Sequence, residues 1–87
     1  MKIIEIKNIT RKDVPIYYKR FYKGTLVLEL VSKPIEIPVE FIIEHKPTGH
    51  LDISATLSGE IDYPLVPLMK ELKNYIGELD SERKLPS

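Results

Sequence analysis

Ile35-Glu36-Ile37-Pro38-Val39-Glu40-Phe41-Ile42-Ile43-Glu44-His45-Lys46-Pro47-Thr48-Gly49-His50-Leu51-Asp52-Ile53-Ser54-Ala55-Thr56-Leu57 is the stretch that decides the fold. Ile35, Ile37, Val39, Phe41 and Ile43 recur at every second position. Successive side chains of a strand point to opposite faces, so this is a half-buried β-strand with a core face and an acidic face. Leu51, Ile53, Ala55 and Leu57 repeat the rhythm, and Lys46-Pro47-Thr48-Gly49 between the two runs reads as a turn. Pro38 has no N–H to give to a ladder, which places the first of these strands at a sheet edge, or bulges or bends it there.

Antiparallel partners share a face, so paired positions must sum to an even number, such as 94 or 96. The first sets Glu44 opposite His50; the second sets it opposite Asp52, a like-charge pair. The first is expected, with Lys46-Pro47-Thr48 as the tip and Gly49 in the positive-φ conformation of a bulge.

Working outward, Leu65, Leu68, Met69, Leu72, Tyr75, Ile76 and Leu79 follow a period near 3.6, the stripe of an amphipathic helix over 65–79. Pro64 and Pro67 fit only in or before its first turn. Gly77 weakens the helix and is a position where it can end.

On the N-terminal side, Lys2–Thr10 reads as a strand and Arg11-Lys12-Asp13-Val14-Pro15 as a connection. Ile16–Tyr22 and Thr25–Val31, separated by Lys23-Gly24, read as a hairpin. A two-residue loop sets Tyr17 and Phe21 on the face of Leu26, Leu28 and Leu30, with Tyr18, Arg20 and Tyr22 on the other. A three-residue loop exchanges the faces, and the sequence leaves both registers open. The expected architecture is α+β: about five antiparallel strands, two hairpins plus the N-terminal strand, with the C-terminal helix on one face. Residues 1–80 form the domain and 81–87 a flexible tail.

The 87 residues hold 43% apolar and 30% charged side chains, enough for one thin core. There is no cysteine, which excludes disulfides and thiolate metal sites. The N-terminus lacks the apolar run of a signal peptide and no segment approaches a membrane span, so a cytoplasmic protein is expected. Net charge is zero, but residues 1–24 carry seven bases against two acids and residues 25–87 six against eleven. Neutralisation across neighbouring strands is the first expectation from this division.

Candidate chemistry is sparse. His50, Asp52 and Ser54 alternate along one strand face, but same-face neighbours lie ~7 Å apart and the carboxylate, not the imidazole, is central. Glu44, His45, His50 and Asp52 flank one turn, yet His45 has the opposite parity, so no metal is expected. Asp52–Gly59 departs from the Asp-x-Ser-x-x-Gly element of PilZ domains at Leu57, where glycine is needed, and Arg11, Arg20 and Arg83 supply no upstream arginine pair. No phosphate-binding glycine loop is present, and no cofactor is expected.

The segment richest in recognition chemistry is Tyr17–Lys23, where aromatics and bases interleave. Tyr18, Arg20 and Tyr22, flanked by Lys12 and Lys23, are the candidate binding residues. The expected function is that of a non-catalytic interaction protein that binds another macromolecule, with a protein as the expected partner, and that self-associates through a sheet edge or the uncovered face. The alternative is single-stranded nucleic-acid binding through residues 17–23; neither an enzyme nor a membrane protein is expected.

Overall fold

The structure, a computed structural model, describes residues 2–30, 33–59, 61 and 64–86. Its elements are β1 (Lys2–Lys12), β2 (Lys19–Leu30), β3 (Lys33–His45), β4 (Leu51–Leu57) and α1 (Leu65–Ser81). The strands form one antiparallel meander in the order β1-β2-β3-β4, with the helix on one face. The expected strand end at Val31, the break at Ser32, and Glu60, Asp62 and Tyr63 of the expected strand-ending turn lie outside the described residues, as does Ser87 of the expected tail.

The alternation in β3 and β4 does what the pattern requires. Ile37, Val39, Phe41 and Ile43 are buried, and Ile53, Ala55 and Leu57 pack beside them. Leu68, Leu72 and Ile76 of α1 close the core from above.

Among the described residues there are four strands, not five, because Lys23-Gly24 does not turn the chain. Gly24 lies inside β2, paired with Val39. Opposite it, β1 carries an extra residue: Lys7 pairs with Thr25 and Thr10 with Lys23, leaving Asn8 and Ile9 against Gly24 alone. This is a β-bulge, and Asn8 takes the left-handed conformation at φ 56°. A Cβ on Gly24 would stand 3.1 Å from Ile6 Cγ2 and from the Lys7 carbonyl oxygen, and 3.3 Å from Ile9 Cγ1. Glycine is present because another backbone approaches, not because the chain reverses.

The second hairpin also departs from expectation. Glu44 pairs with Asp52 and His45 with Leu51, the register summing to 96. Turn geometry decides it: the Gly49 N–H donates to the Lys46 carbonyl at 2.9 Å, the Lys46 N–H donates to the His50 carbonyl at 2.9 Å, and Gly49 has φ 90°. A three-residue Pro47-Thr48-Gly49 loop of this kind fixes Lys46 opposite His50. The like charges are relieved by neighbouring cations, Lys19 opposite Glu44 and Lys46 3.9 Å from Asp52.

Pro38 sits on an interior strand, in the stretch of it that runs past the end of β4. The Ser58 N–H donates to the Pro38 carbonyl at 3.0 Å, so the proline ring nitrogen faces the same side, just past the last residue of β4. The missing N–H of Pro38 therefore falls beyond the β3–β4 ladder, whose last pair is Val39 with Leu57.

The helix begins after Pro64, with Pro67 in its first turn, and runs through Gly77 to Ser81. It closes in a Schellman arrangement: Arg83 has φ 57°, its N–H donates to the Asp80 carbonyl, and the Lys84 N–H donates to the Leu79 carbonyl. Leu85 then packs against the core.

Candidate interaction surface

Arg20 and Tyr22 of the continuous β2, and Tyr18 just before it, share parity with Leu26 and Leu28, so they lie on the helix-covered side. This corrects the register that set them on the uncovered one. Tyr22 is 1% exposed and stacks on Phe41 at 5.1 Å between ring centroids. It cannot stack on a base.

Arg20 is consumed by internal contacts. Its Nη2 lies 2.9 Å from Asp80 Oδ1 at the end of α1, Nη1 donates to Tyr22 Oη at 3.0 Å, and Nε donates to His45 Nε2 at 3.2 Å. Burial works against its charge, but Asp80 and Tyr22 outweigh that and hold the guanidinium above its ordinary value. The side chain ties β2 to the last turn of the helix.

Lys12 and Lys23 lie on the other face, separated from Arg20 and Tyr22 by the sheet. The Lys12 ammonium donates to Glu40 at 2.6 Å, and Lys23 pairs across the ladder with the same Glu40. Lys12, through its hydrogen bond and its charge, holds the Glu40 carboxyl below its ordinary value. Lys7 reaches Glu36 at 2.8 Å. Both lysines leave β1 and meet glutamates of β3, so their side chains cross over β2: Lys7 over Thr25 and Val27, Lys12 over Phe21 and Lys23. The basic first quarter of the sequence is neutralised there by its acidic remainder. Val27, on the face without a helix, is buried.

The exposed apolar residues gather elsewhere. At the end of the sheet beyond the helix, the His45 N–H donates to the Tyr18 carbonyl at 2.8 Å and His45 pairs with Leu51, so Tyr18, His45 and Leu51 form one cross-strand row. Tyr18 is 44% and Leu51 45% exposed. Tyr17, 96% exposed, meets the Tyr18 ring edge-on at 5.6 Å. Of the expected binding residues Tyr18 and Lys23 are exposed, on opposite faces, and Tyr17, His45 and Leu51 are exposed at the same end as Tyr18. The signal for them was present: with Gly24 taken as strand interior, the alternation carries Tyr18 onto the row of His45 and Leu51.

Asp52 and Ser54 lie exposed along β4 while His50 belongs to the turn, and no group of three or more His, Asp or Glu side chains among the described residues is placed to hold a metal. No helix among them is long and apolar enough to cross a membrane.

These features define the class: a small α+β domain, a four-stranded antiparallel meander with one C-terminal helix, with Tyr17, Tyr18 and Leu51 exposed at one end of the sheet. The chain belongs to the BB-0187 family, whose model matches residues 1–81. No curated protein and no solved structure matches it.

Proposed function

We propose that this chain is a non-catalytic interaction protein that binds another protein and acts as a homodimer. The observation that carries the reading is the Tyr17–Tyr18 pair, 96% and 44% exposed and outside the core, at the start of a row that runs through His45 to Leu51. Tyrosines of this kind supply large, stiff contact area and a hydroxyl, the usual makeup of an interface hot spot. A protein partner is favoured over a polyanion because Lys12 and Arg20, two of the cations that flank these rings in the sequence, are already paired with Glu40 and Asp80.

Affinity capture from the source cells tests this. A protein retained by the native chain and lost with the Tyr17→Ala, Tyr18→Ala double variant supports it; identical capture by both overturns it.

A second reading, single-stranded nucleic-acid binding, keeps one supporting observation: the same exposed rings are followed by Lys19 and stand at the end of the sheet where Arg11 leaves β1. An oligonucleotide shift that weakens steeply with salt and vanishes in the double variant would favour it.

A further inference from the structure

We infer that the homodimer forms by antiparallel pairing of β4 with β4 of a second copy, joining two four-stranded sheets into one of eight strands. This rests on the self-association proposed above and assigns it a surface.

Among the described residues three long stretches of the sheet's edge are free, and they differ. β1 carries two register shifts, one at Ile4 and one at Asn8–Ile9, and four bases, Lys2, Lys7, Arg11 and Lys12. Bulges and lysines are the devices that keep edges from pairing. The part of β3 beyond β4, Lys33–Pro38, carries Pro34 and Pro38 with their ring nitrogens on the open side. β4 has none of these: Leu51–Leu57 runs in unbroken register, with no proline, lysine or arginine.

The ladder fixes what that edge presents. The bonded pairs Lys46–His50 and Pro38–Ser58 show that even-numbered residues of β4 direct their backbone groups to β3. Leu51, Ile53, Ala55 and Leu57 therefore direct N–H and C=O outward, and among the described residues no backbone hydrogen bond outside the ladders reaches them. Above the same edge, a Cβ built on Gly77 would lie 3.5 Å from Ile53 Cδ1. Helical spacing places Val66, Met69 and Lys73 on the same flank of α1 as Gly77. Val66 is 82% exposed.

A second copy fits because the strand is self-complementary. With a two-fold axis at Ser54, Leu51 faces Leu57 of the partner subunit and Ile53 faces Ala55 of the partner subunit, so all four outward residues find bonding partners. Asp52, the single charge of β4, faces Thr56 of the partner subunit, and the two carboxylates stand about 14 Å apart at 3.4 Å per residue. Ser54 meets its own copy in a non-bonded pair, where Cα atoms lie about 4.5 Å apart.

Sedimentation of the whole chain, with three variants, tests this. The native chain should show twice the 10.1 kDa mass. Ala55→Pro removes an outward N–H only, so it should keep the native circular dichroism and sediment as a monomer. The chain has no cysteine of its own; with oxidised glutathione Ser54→Cys should give a disulfide-linked dimer, and Thr56→Cys should not. A native chain that stays monomeric at every concentration overturns self-association itself and leaves the Tyr17–Tyr18 capture result standing. A native dimer that survives Ala55→Pro, or fails to cross-link at Ser54→Cys, overturns the β4 surface alone.

Discussion

Replacing Gly24 with alanine should destabilise the fold, although the same change in a strand interior ordinarily helps. A Cβ there would meet Ile6 Cγ2 and the Lys7 carbonyl oxygen at 3.1 Å and Ile9 Cγ1 at 3.3 Å, all inside ordinary van der Waals separation. The carbonyl is backbone, held by the bulge at Asn8–Ile9, so it cannot swing away as a side-chain terminus could. Overpacking of this kind costs about 1–3 kcal/mol. Relief of glycine's extra backbone entropy returns about 0.5–1 kcal/mol. With mid-range values of about 2 and about 0.75 kcal/mol the net loss is about 1.25 kcal/mol, and with about 4–8 °C per kcal/mol for a domain of this size, Tm should fall by about 5–10 °C. Gly77→Ala is the internal control: its Cβ would meet only Ile53 Cδ1 at 3.5 Å, an ordinary contact, so the helix-propensity gain of about 1 kcal/mol should appear as a higher Tm. Thermal and urea unfolding of both variants measures the difference. If Gly24→Ala is as stable as the native chain, β1 does not press on β2 at this point and the bulge is misplaced.

Arg20→Met should cost about 1–3 kcal/mol in urea unfolding, because it leaves the half-buried Asp80 carboxylate and the Tyr22 hydroxyl without their partner. Arg20→Lys should not restore it, since one ammonium cannot reach three acceptors in a fixed fork. Arg83→Gly should stabilise by about 1 kcal/mol, measured by Tm, because Arg83 holds the left-handed φ of 57° at which glycine is unstrained. The Glu40 carboxyl, followed by NMR, should titrate below its ordinary value of 4.5 and return toward it in Lys12→Met. A depressed folded-state value means that its contribution to stability is present above the unfolded value and fades as pH falls through the folded one.

Periodicity carried β3, β4 and the helix because each buries one continuous face, and nothing in those segments competes with the pattern. β2 was less legible for a specific reason. Lys23-Gly24 is chemically a turn signal, and glycine in a turn and glycine under a crossing backbone look the same until the partner strand is placed. That one ambiguity set the face of Tyr18, Arg20 and Tyr22, so their shared parity was readable while its direction was not. In the second hairpin two effects oppose each other, and the weaker one pointed to the wrong register: cross-strand charge repulsion at an exposed pair is worth less than the backbone geometry of a loop with glycine at its positive-φ position. Asp80 as the partner of Arg20 had no sequence signal at all, since 60 positions separate them.

The uncovered face of the sheet is where an open two-layer fold invites a partner, and here the chain has covered it with its own side chains. Lys7 and Lys12 span β2 to reach Glu36 and Glu40, laying aliphatic stems over Val27 and Phe21 while the charged heads stay wet. A partner docking on that face would have to break or desolvate both ion pairs, which favours neither affinity nor speed. Binding is cheaper where apolar area is already exposed and no charge need be stripped, at Tyr17, Tyr18 and Leu51, and where backbone groups stand ready, along β4. The proposed surfaces follow from the sheet's chemistry: one face holds the helix, the other carries paired lysines and glutamates, and the proposals therefore place recognition at an end and an edge.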